Sequence, residues 1–243
     1  MPEGPSILIL REETERFAGQ RILRVEGNSK VDLQRLQGQR VKALRSWGKH
    51  FLIELEDVVV RIHLLLFGSY RIDERKDAAP RLSLGFANGE LNFYGCSVQF
   101  LQPPLSEHYD WRCDTLADDW DAELALTKLQ AMPATLACDA ILDQQVFAGA
   151  GNIFKNEVLF RIRVHPLSPL GALPAGKLKE LVSEVRQYAF DFLAWKKAFV
   201  LKQHWQAHRQ SRCPRCAIPL SKAKLGRTQR QSYYCEQCQR RYA

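Results

Sequence analysis

Apolar and polar residues recur with two different periods along the chain, and the change of period divides it. Near the start, Ile7, Leu8, Leu10 and Phe17 fall on one helical face, which predicts a helix from Pro5 to about Phe17. From about Arg21 to Leu101 the period drops to two. Strands are expected at 22–25, 41–44, 51–55, 58–62, 82–86 and 91–94. Glu56 and Asp57 separate two of them as a tight turn, and Ala87-Asn88-Gly89-Glu90 reads as a hairpin turn centred on Asn-Gly. Several short strands with turns between them indicate a sandwich or barrel. The strand pattern stops at Gln102-Pro103-Pro104, and a linker is placed from there to Leu116. Helical spacing then returns, with segments expected from Asp121 to Met132, Ala134 to Gln145, Asn152 to Arg161 and Lys177 to Phe199. The predicted fold is α+β and multidomain. A β-sandwich with a leading helix occupies 1–108, a helical domain 117–200, and a cysteine-clipped hairpin 205–243.

That last element is set by spacing. Cys213-Pro-Arg-Cys216 is followed, eighteen residues on, by Cys235-Glu-Gln-Cys238, the pattern of a four-thiolate zinc site with one CxxC pair from each half of a hairpin. Disulfides or four unrelated thiols are the alternatives. The lack of a signal-peptide pattern at the N-terminus argues against the oxidising compartment that disulfides need, and the cytoplasm is the expected location. Four cysteines leave no open coordination position, so the zinc is expected to be structural. Cys96, Cys113 and Cys138 read as reduced small hydrophobes. A net charge of +8 and a pI near 9.2, with 10% aromatic residues, point to a polyanionic partner such as nucleic acid. No apolar run approaches the ~20 residues that span a bilayer.

Two further patterns carry chemistry. In Met1-Pro2-Glu3-Gly4-Pro5, removal of the initiator methionine would give Pro2 a free secondary amine. An α-amino group titrates near pH 7.7–8.0, so part of it is unprotonated and able to attack an aldehyde carbon, forming an iminium. Glu3 is then placed to move protons. Farther on, Gly149-Ala-Gly151-Asn152 opens a helix whose unpaired N–H groups suit a phosphate, with a donor from Asn152 and a charge from Lys155. A plain helix corner with a capping asparagine is the alternative at this site.

Taken in order, these residues resemble a known family. The initial Met-Pro-Glu-Gly-Pro, Gly48-Lys49 before a strand, Gly149 to Glu157, Val164-His165-Pro166 and the four-cysteine hairpin follow the pattern of the formamidopyrimidine-DNA glycosylase and endonuclease VIII enzymes of base-excision repair. The resemblance implies an N-terminal β-sandwich, a helix–two-turns–helix domain and a zinc hairpin. It implies a bifunctional glycosylase and abasic-site lyase acting as a monomer on damaged double-stranded DNA. Pro2 would attack the deoxyribose C1′, with Glu3 as its acid–base partner. Lys49 would contact the adjoining phosphate and assist β-elimination. Arg230 would bind phosphate and assist δ-elimination, with Arg227 as a nearby alternative. Asn152 would grip phosphate at the lesion. Leu65, Leu66 and Phe67 resemble the wedge residues that fill the space left by an extruded nucleotide.

Three departures qualify the resemblance. Tyr94 to Phe100 lacks the arginine-rich loop of the guanine-repair branch, and the stretch between the long helix and Cys213 is short. Both favour the endonuclease VIII-like branch and oxidised pyrimidines. Ser6 stands where the family carries a second glutamate, which admits a slower enzyme or a lesion-binding paralogue without activity.

Overall fold

The structure is a computed structural model that describes residues 2–243. The question of Met1 removal lies outside the described residues. Two compact units are present, 1–110 and 111–243.

The first unit begins with helix α1 (Gly4–Thr14), extended by a 3₁₀ turn over Glu15–Phe17. Pro5 in its first turn needs no hydrogen-bond partner for its missing N–H. Eight strands follow: β1 (Arg24–Glu26), β2 (Ala43–Trp47), β3 (His50–Glu54), β4 (Val59–His63), β5 (Ser69–Ile72), β6 (Leu82–Phe86), β7 (Gly89–Tyr94) and β8 (Ser97–Leu101). They form two antiparallel four-stranded sheets, ordered β1-β6-β7-β5 and β2-β3-β4-β8. The inward positions of both sheets close one core around Phe51, Ile53, Val60, Ile62, Leu84 and Phe93, with Ile7 and Leu10 of α1 packed into it. Each such side chain contributes about 1.5–3 kcal/mol by leaving water. This is the expected sandwich with its leading helix.

The second unit carries α2 (Ala122–Gln130), α3 (Ala137–Ala140), α4 (Asn152–Arg161) and α5 (Ala175–Lys197). It ends in the hairpin of β9 (Ser221–Leu225) and β10 (Arg230–Tyr234). Asp121 caps α2, accepting from the Leu124 N–H at 2.9 Å. Around Phe154, Tyr188 and Phe192, α4 and α5 share one apolar core. Arg161 fastens them, donating to Glu184 at 2.8 Å and Asp191 at 2.9 Å beneath the rings of Tyr188 and Trp195.

Three local expectations are corrected. The helix expected from Ala134 to Gln145 shrinks to α3, because the Ala137 and Cys138 N–H groups bond the Ser168 and Pro166 carbonyls and Asp143 turns the chain onto the Gln145 N–H. In the β6–β7 hairpin the turn residues are Ala87 and Asn88, since Phe86 pairs with Gly89. Among these only Gly89 has positive φ, at 142°, and a Cβ there would meet the Asp73 carboxylate. Strands β5 and β8 also occur where none was expected.

Candidate functional site

The N-terminal candidate residues sit at the start of α1. Pro2 is half-buried and leads directly into the helix. Glu3, at the N-cap position in extended conformation (φ −114°), is 1% exposed, and its carbonyl accepts from the Ser6 N–H at 2.8 Å. Pro2 therefore stands one residue ahead of a sequestered carboxylate, the arrangement that an amine nucleophile at this position would need for proton transfer.

The sandwich brings Lys49 and the Leu-Leu-Phe run to one end of one sheet. Gly48 and Lys49 form the two-residue turn between β2 and β3, with Trp47 paired to His50 and Gly48 at φ 52°. Only the first turn residue needs positive φ, so glycine there leaves Lys49 unstrained. His50 pairs in turn with His63, the last residue of β4, so the segment after His63 emerges beside Lys49. That segment bends at once. The Gly68 N–H bonds the Leu64 carbonyl at 2.7 Å, and a Cβ on Gly68 would lie 2.0 Å from the same oxygen. The tight turn buries Leu64 and pushes out Leu65 (φ 52°), Leu66 and Phe67, the last 93% exposed. A turn that only glycine closes thus holds an apolar trio in water.

A neutral aromatic floor supports the Lys49 turn. The Trp47 Nε1–H donates to the Asp110 carbonyl at 3.0 Å, and its ring lies 4.9 Å from that of Tyr109. The Tyr109 hydroxyl lies 3.2 Å from His50 Nδ1, and the His50 and His63 rings meet edge to face at 5.3 Å. Burial first, then the charges of Arg61 and Lys49, pull His50 down to about 3. The same causes lower His63, so both imidazoles are neutral near pH 7.

In the second unit, one helix face collects the polar residues of Asn152-Ile-Phe-Lys-Asn-Glu157. Asn152 opens α4 and donates through Nδ2 to the Gln231 carbonyl at 3.0 Å; its Oδ1 is buried without a hydrogen-bond partner among the described residues. Lys155 requires a correction. Its side chain is 1% exposed, and Nζ donates to Ser232 Oγ at 2.8 Å and to the Gln231 and Arg230 carbonyls at 3.2 and 3.3 Å. A lysine sealed in this way holds strand β10 rather than offering charge at the surface, since a buried ammonium must satisfy its donors internally.

Asn156 and Glu157 complete the socket, and sequence reasoning gave neither a role. Asn156 Oδ1 accepts the Tyr233 N–H at 3.1 Å, and its amide meets His208 Nδ1 at 3.0 Å. The Glu157 carboxylate, fully buried, accepts the N–H groups of Gln206, Ala207 and His208 at 2.9, 2.9 and 2.6 Å. Burial raises its pKa and those three donors oppose the rise. The available signal was the run itself, because consecutive Asn156 and Glu157 beside Phe154 and Val158 put polar groups on a helix face facing the core.

Arg230 begins β10, half-buried, with its carbonyl held by Lys155. Arg227 lies in the turn between β9 and β10, where its backbone N–H donates to both oxygens of Asp139 on α3 at 3.0 and 2.9 Å. Gly226 has φ 70°, and a Cβ there would meet that carboxylate at 2.5 Å. The hairpin turn is therefore docked on α3 through its backbone, which leaves the Arg227 side chain exposed. From Phe192 to Cys235 the chain has no aspartate or glutamate, so every charge on the hairpin and its approach is positive.

Behind the hairpin, the sulfurs of Cys213, Cys216, Cys235 and Cys238 all lie within 4.8 Å of one another. Cys213 and Cys238 are 3.8 Å apart. Tetrahedral ligands at ~2.3 Å from a zinc ion are separated by about 3.8 Å, so the cluster fits such an ion. Burial opposes ionisation of Cys213, but the N–H groups of Cys216 and Arg215 and the facing thiols outweigh it and bring the thiol down to about 7. Burial and the proximity of Cys235 and Cys213 push Cys238 up to about 12. Four thiolates at this spacing need a cation between them. Arg215, inside the first CxxC, donates to the Phe160 carbonyl at 2.8 Å and covers the Phe160 ring, joining the knuckle to the end of α4.

Comparison with known proteins agrees with this architecture. Residues 1–97 match the family model for the formamidopyrimidine-DNA glycosylase N-terminal domain, and residues 113–191 match that for the formamidopyrimidine-DNA glycosylase H2TH domain. Endonuclease 8-like 2 of Mus musculus is 37% identical over 170 residues, covering 68% of this chain and 49% of that protein. The chain thus spans about half the length of that mammalian relative. Formamidopyrimidine-DNA glycosylase of Acinetobacter baylyi is 27% identical over 271 residues and is matched over 98% of both chains. In fold, the chain is similar to Lactococcus lactis formamidopyrimidine-DNA glycosylase bound to DNA containing an abasic site, with a TM-score of 0.86 at 21% identity over 98% of this chain. The matched family models and the mammalian relative define the class, a family of DNA glycosylases. The chain belongs to the formamidopyrimidine-DNA glycosylase and endonuclease VIII family within it.

Proposed function

We propose that this chain is a bifunctional DNA glycosylase and abasic-site lyase that acts on damaged double-stranded DNA as a monomer. The observation that carries the reading is Pro2, one residue ahead of the buried Glu3 at the start of α1. In this scheme the Pro2 amine attacks C1′ of the damaged nucleotide and the C1′–base bond breaks, the base leaving with the amine proton. The C1′–O4′ bond then opens, O4′ taking a proton from Glu3, so that C1′ and the proline nitrogen form an iminium. The resulting iminium acidifies C2′; loss of that proton to Glu3 expels the 3′ phosphate, and a second elimination expels the 5′ phosphate. Lys49 and Arg230 hold the flanking phosphates through β- and δ-elimination, Asn152 and Arg227 grip the backbone, and Leu65, Leu66 and Phe67 fill the vacated stack. Lys155 acts through Arg230, as a positioning residue. Zinc held by the four cysteines stabilises the hairpin and supplies no chemistry to the reaction. The missing arginine-rich loop between Tyr94 and Phe100 supports oxidised pyrimidines as substrates.

Strand scission of a duplex with a single abasic site tests the reading. The wild-type protein is expected to leave phosphate at both ends of a one-nucleotide gap, and Pro2→Gly to leave the strand intact. Equal scission by both would remove Pro2 from the chemistry. Ser6, half-buried in the first turn of α1 where the family has a glutamate, supports a second reading as a lesion-binding protein of low activity. Tight binding to the abasic duplex without scission by the wild type would favour it.

A further inference from the structure

The C-terminal end of α5 carries a feature that the proposed chemistry does not use. Phe199 is 94% exposed and sits at φ 60°, the left-handed region that a helix terminus normally gives to glycine. An aromatic residue there is strained and hydrated at once, and strain of this kind persists only where the surroundings impose it. They do so here. The Phe199 N–H bonds the Lys196 carbonyl at 3.1 Å, the Val200 N–H bonds the Trp195 carbonyl at 2.9 Å, and the Gln203 N–H bonds the Val200 carbonyl at 2.9 Å. His204 stacks on Trp195 with ring centres 4.2 Å apart and planes 5° apart, closing the segment back onto the helix. Arg161 packs on the same indole at 5.4 Å. Phe199 is therefore held out in water by an ordered turn.

Its setting is cationic. Lys196, half-buried, and Lys202, exposed, flank it within the stretch from Phe192 to Cys235 that lacks carboxylates. A flat ring presented among lysines fits a nucleobase on the ring with phosphates on the ammonium groups, as in proteins that grip single strands. A paired base has both faces covered by its neighbours and offers nothing to such a ring. We infer that Phe199 is a stacking platform for an unpaired nucleotide of the bound DNA, with Lys196 and Lys202 on the adjoining phosphates. This inference rests on the proposed function for its DNA partner.

The test compares affinities for two labelled duplexes, one fully paired and one with three unpaired thymines in one strand. Phe199→Gly is expected to bind the second roughly tenfold more weakly, the loss of one stacked base, with affinity for the first changed less than twofold. Phe199→Trp is expected to keep both affinities. Because glycine relieves the left-handed backbone, Phe199→Gly is also expected to melt at a higher temperature than wild type, which separates lost stacking from lost folding. Equal affinities for wild type and Phe199→Gly on the second duplex, or an equal loss on both, would overturn the inference. So would Phe199-dependent binding to phosphatidylserine vesicles with DNA affinities unchanged. Strand scission by the wild type is scored separately. Its absence would remove the lyase reading, while selective binding through Phe199 would still stand or fall on the affinities.

Discussion

Lys155 exchanges water for three acceptors on β10, and a charge so enclosed is sensitive to loss of either side of the bargain. Lys155→Met keeps the length of the side chain and takes its donor from the Ser232 hydroxyl and the Arg230 carbonyl, while the Gln231 carbonyl keeps the Asn152 amide. It is expected to cost about 3 kcal/mol in denaturant unfolding, because abandoned buried acceptors lose their full solvation. A loss below about 0.5 kcal/mol would mean that Lys155 is not the clamp described. Gly68 works by absence, since any Cβ would strike the Leu64 carbonyl. Gly68→Ala should reopen that turn and displace Leu65 to Phe67. Abasic-duplex affinity is then expected to fall about tenfold or more with the melting temperature only modestly lower, the energy of an apolar insertion being a few kcal/mol. Unchanged affinity would detach the turn from DNA binding.

At the scale of elements, α4 is the part on which the hairpin depends. Its polar face grips β10 and residues 206–208 without help from sulfur, while the cysteines tie only the two knuckles. Chelating the metal should therefore raise hydrogen exchange at Cys213–Ile218 and Cys235–Gln239 and spare the Tyr233 amide, which Asn156 holds. Loss of protection along all of β10 would make the metal the anchor instead. These elements also show how far the chain could be read beforehand. Strands β2, β3, β4, β6 and β7 were legible because they alternate or run apolar into a shared core. Strands β5 and β8 were not, because their partly buried positions interrupted by exposed Arg71 and Gln99 blur the period. The four cysteines were legible from spacing alone. The role of Lys155 was not, because a lysine on a helix gives no sign of burial until the strand that buries it, about 75 residues away in sequence, is in place.

Across the whole molecule, buried imidazoles set the response to acid. His50 is lowered to about 3 and His208 to about 4, in each case by burial first and by nearby cations second. Unfolded, both return to about 6.5. Below that pH the unfolded chain binds more protons than the folded one, so stability is full above pH 6.5 and falls as pH drops towards 4. Asp73 and Glu90, whose carboxyls are lowered by Arg16 and Arg75, add to the fall only at and below the lower end of this window, where Glu157, raised by burial, opposes it. The melting temperature should therefore fall between pH 7 and pH 5, and fall less in His50→Gln/His208→Gln. An equally steep fall in the double variant would place the sensitivity elsewhere.

The proposed function turns on an amine at the far end of the chain. Borohydride reduction in the presence of an abasic-site oligonucleotide, followed by mass mapping of the captured protein, tests that claim most directly. The reduced adduct should reside on the N-terminal peptide beginning with Pro2 and disappear in Pro2→Gly. An adduct on any lysine-bearing peptide, or none with the wild-type protein, would contradict it.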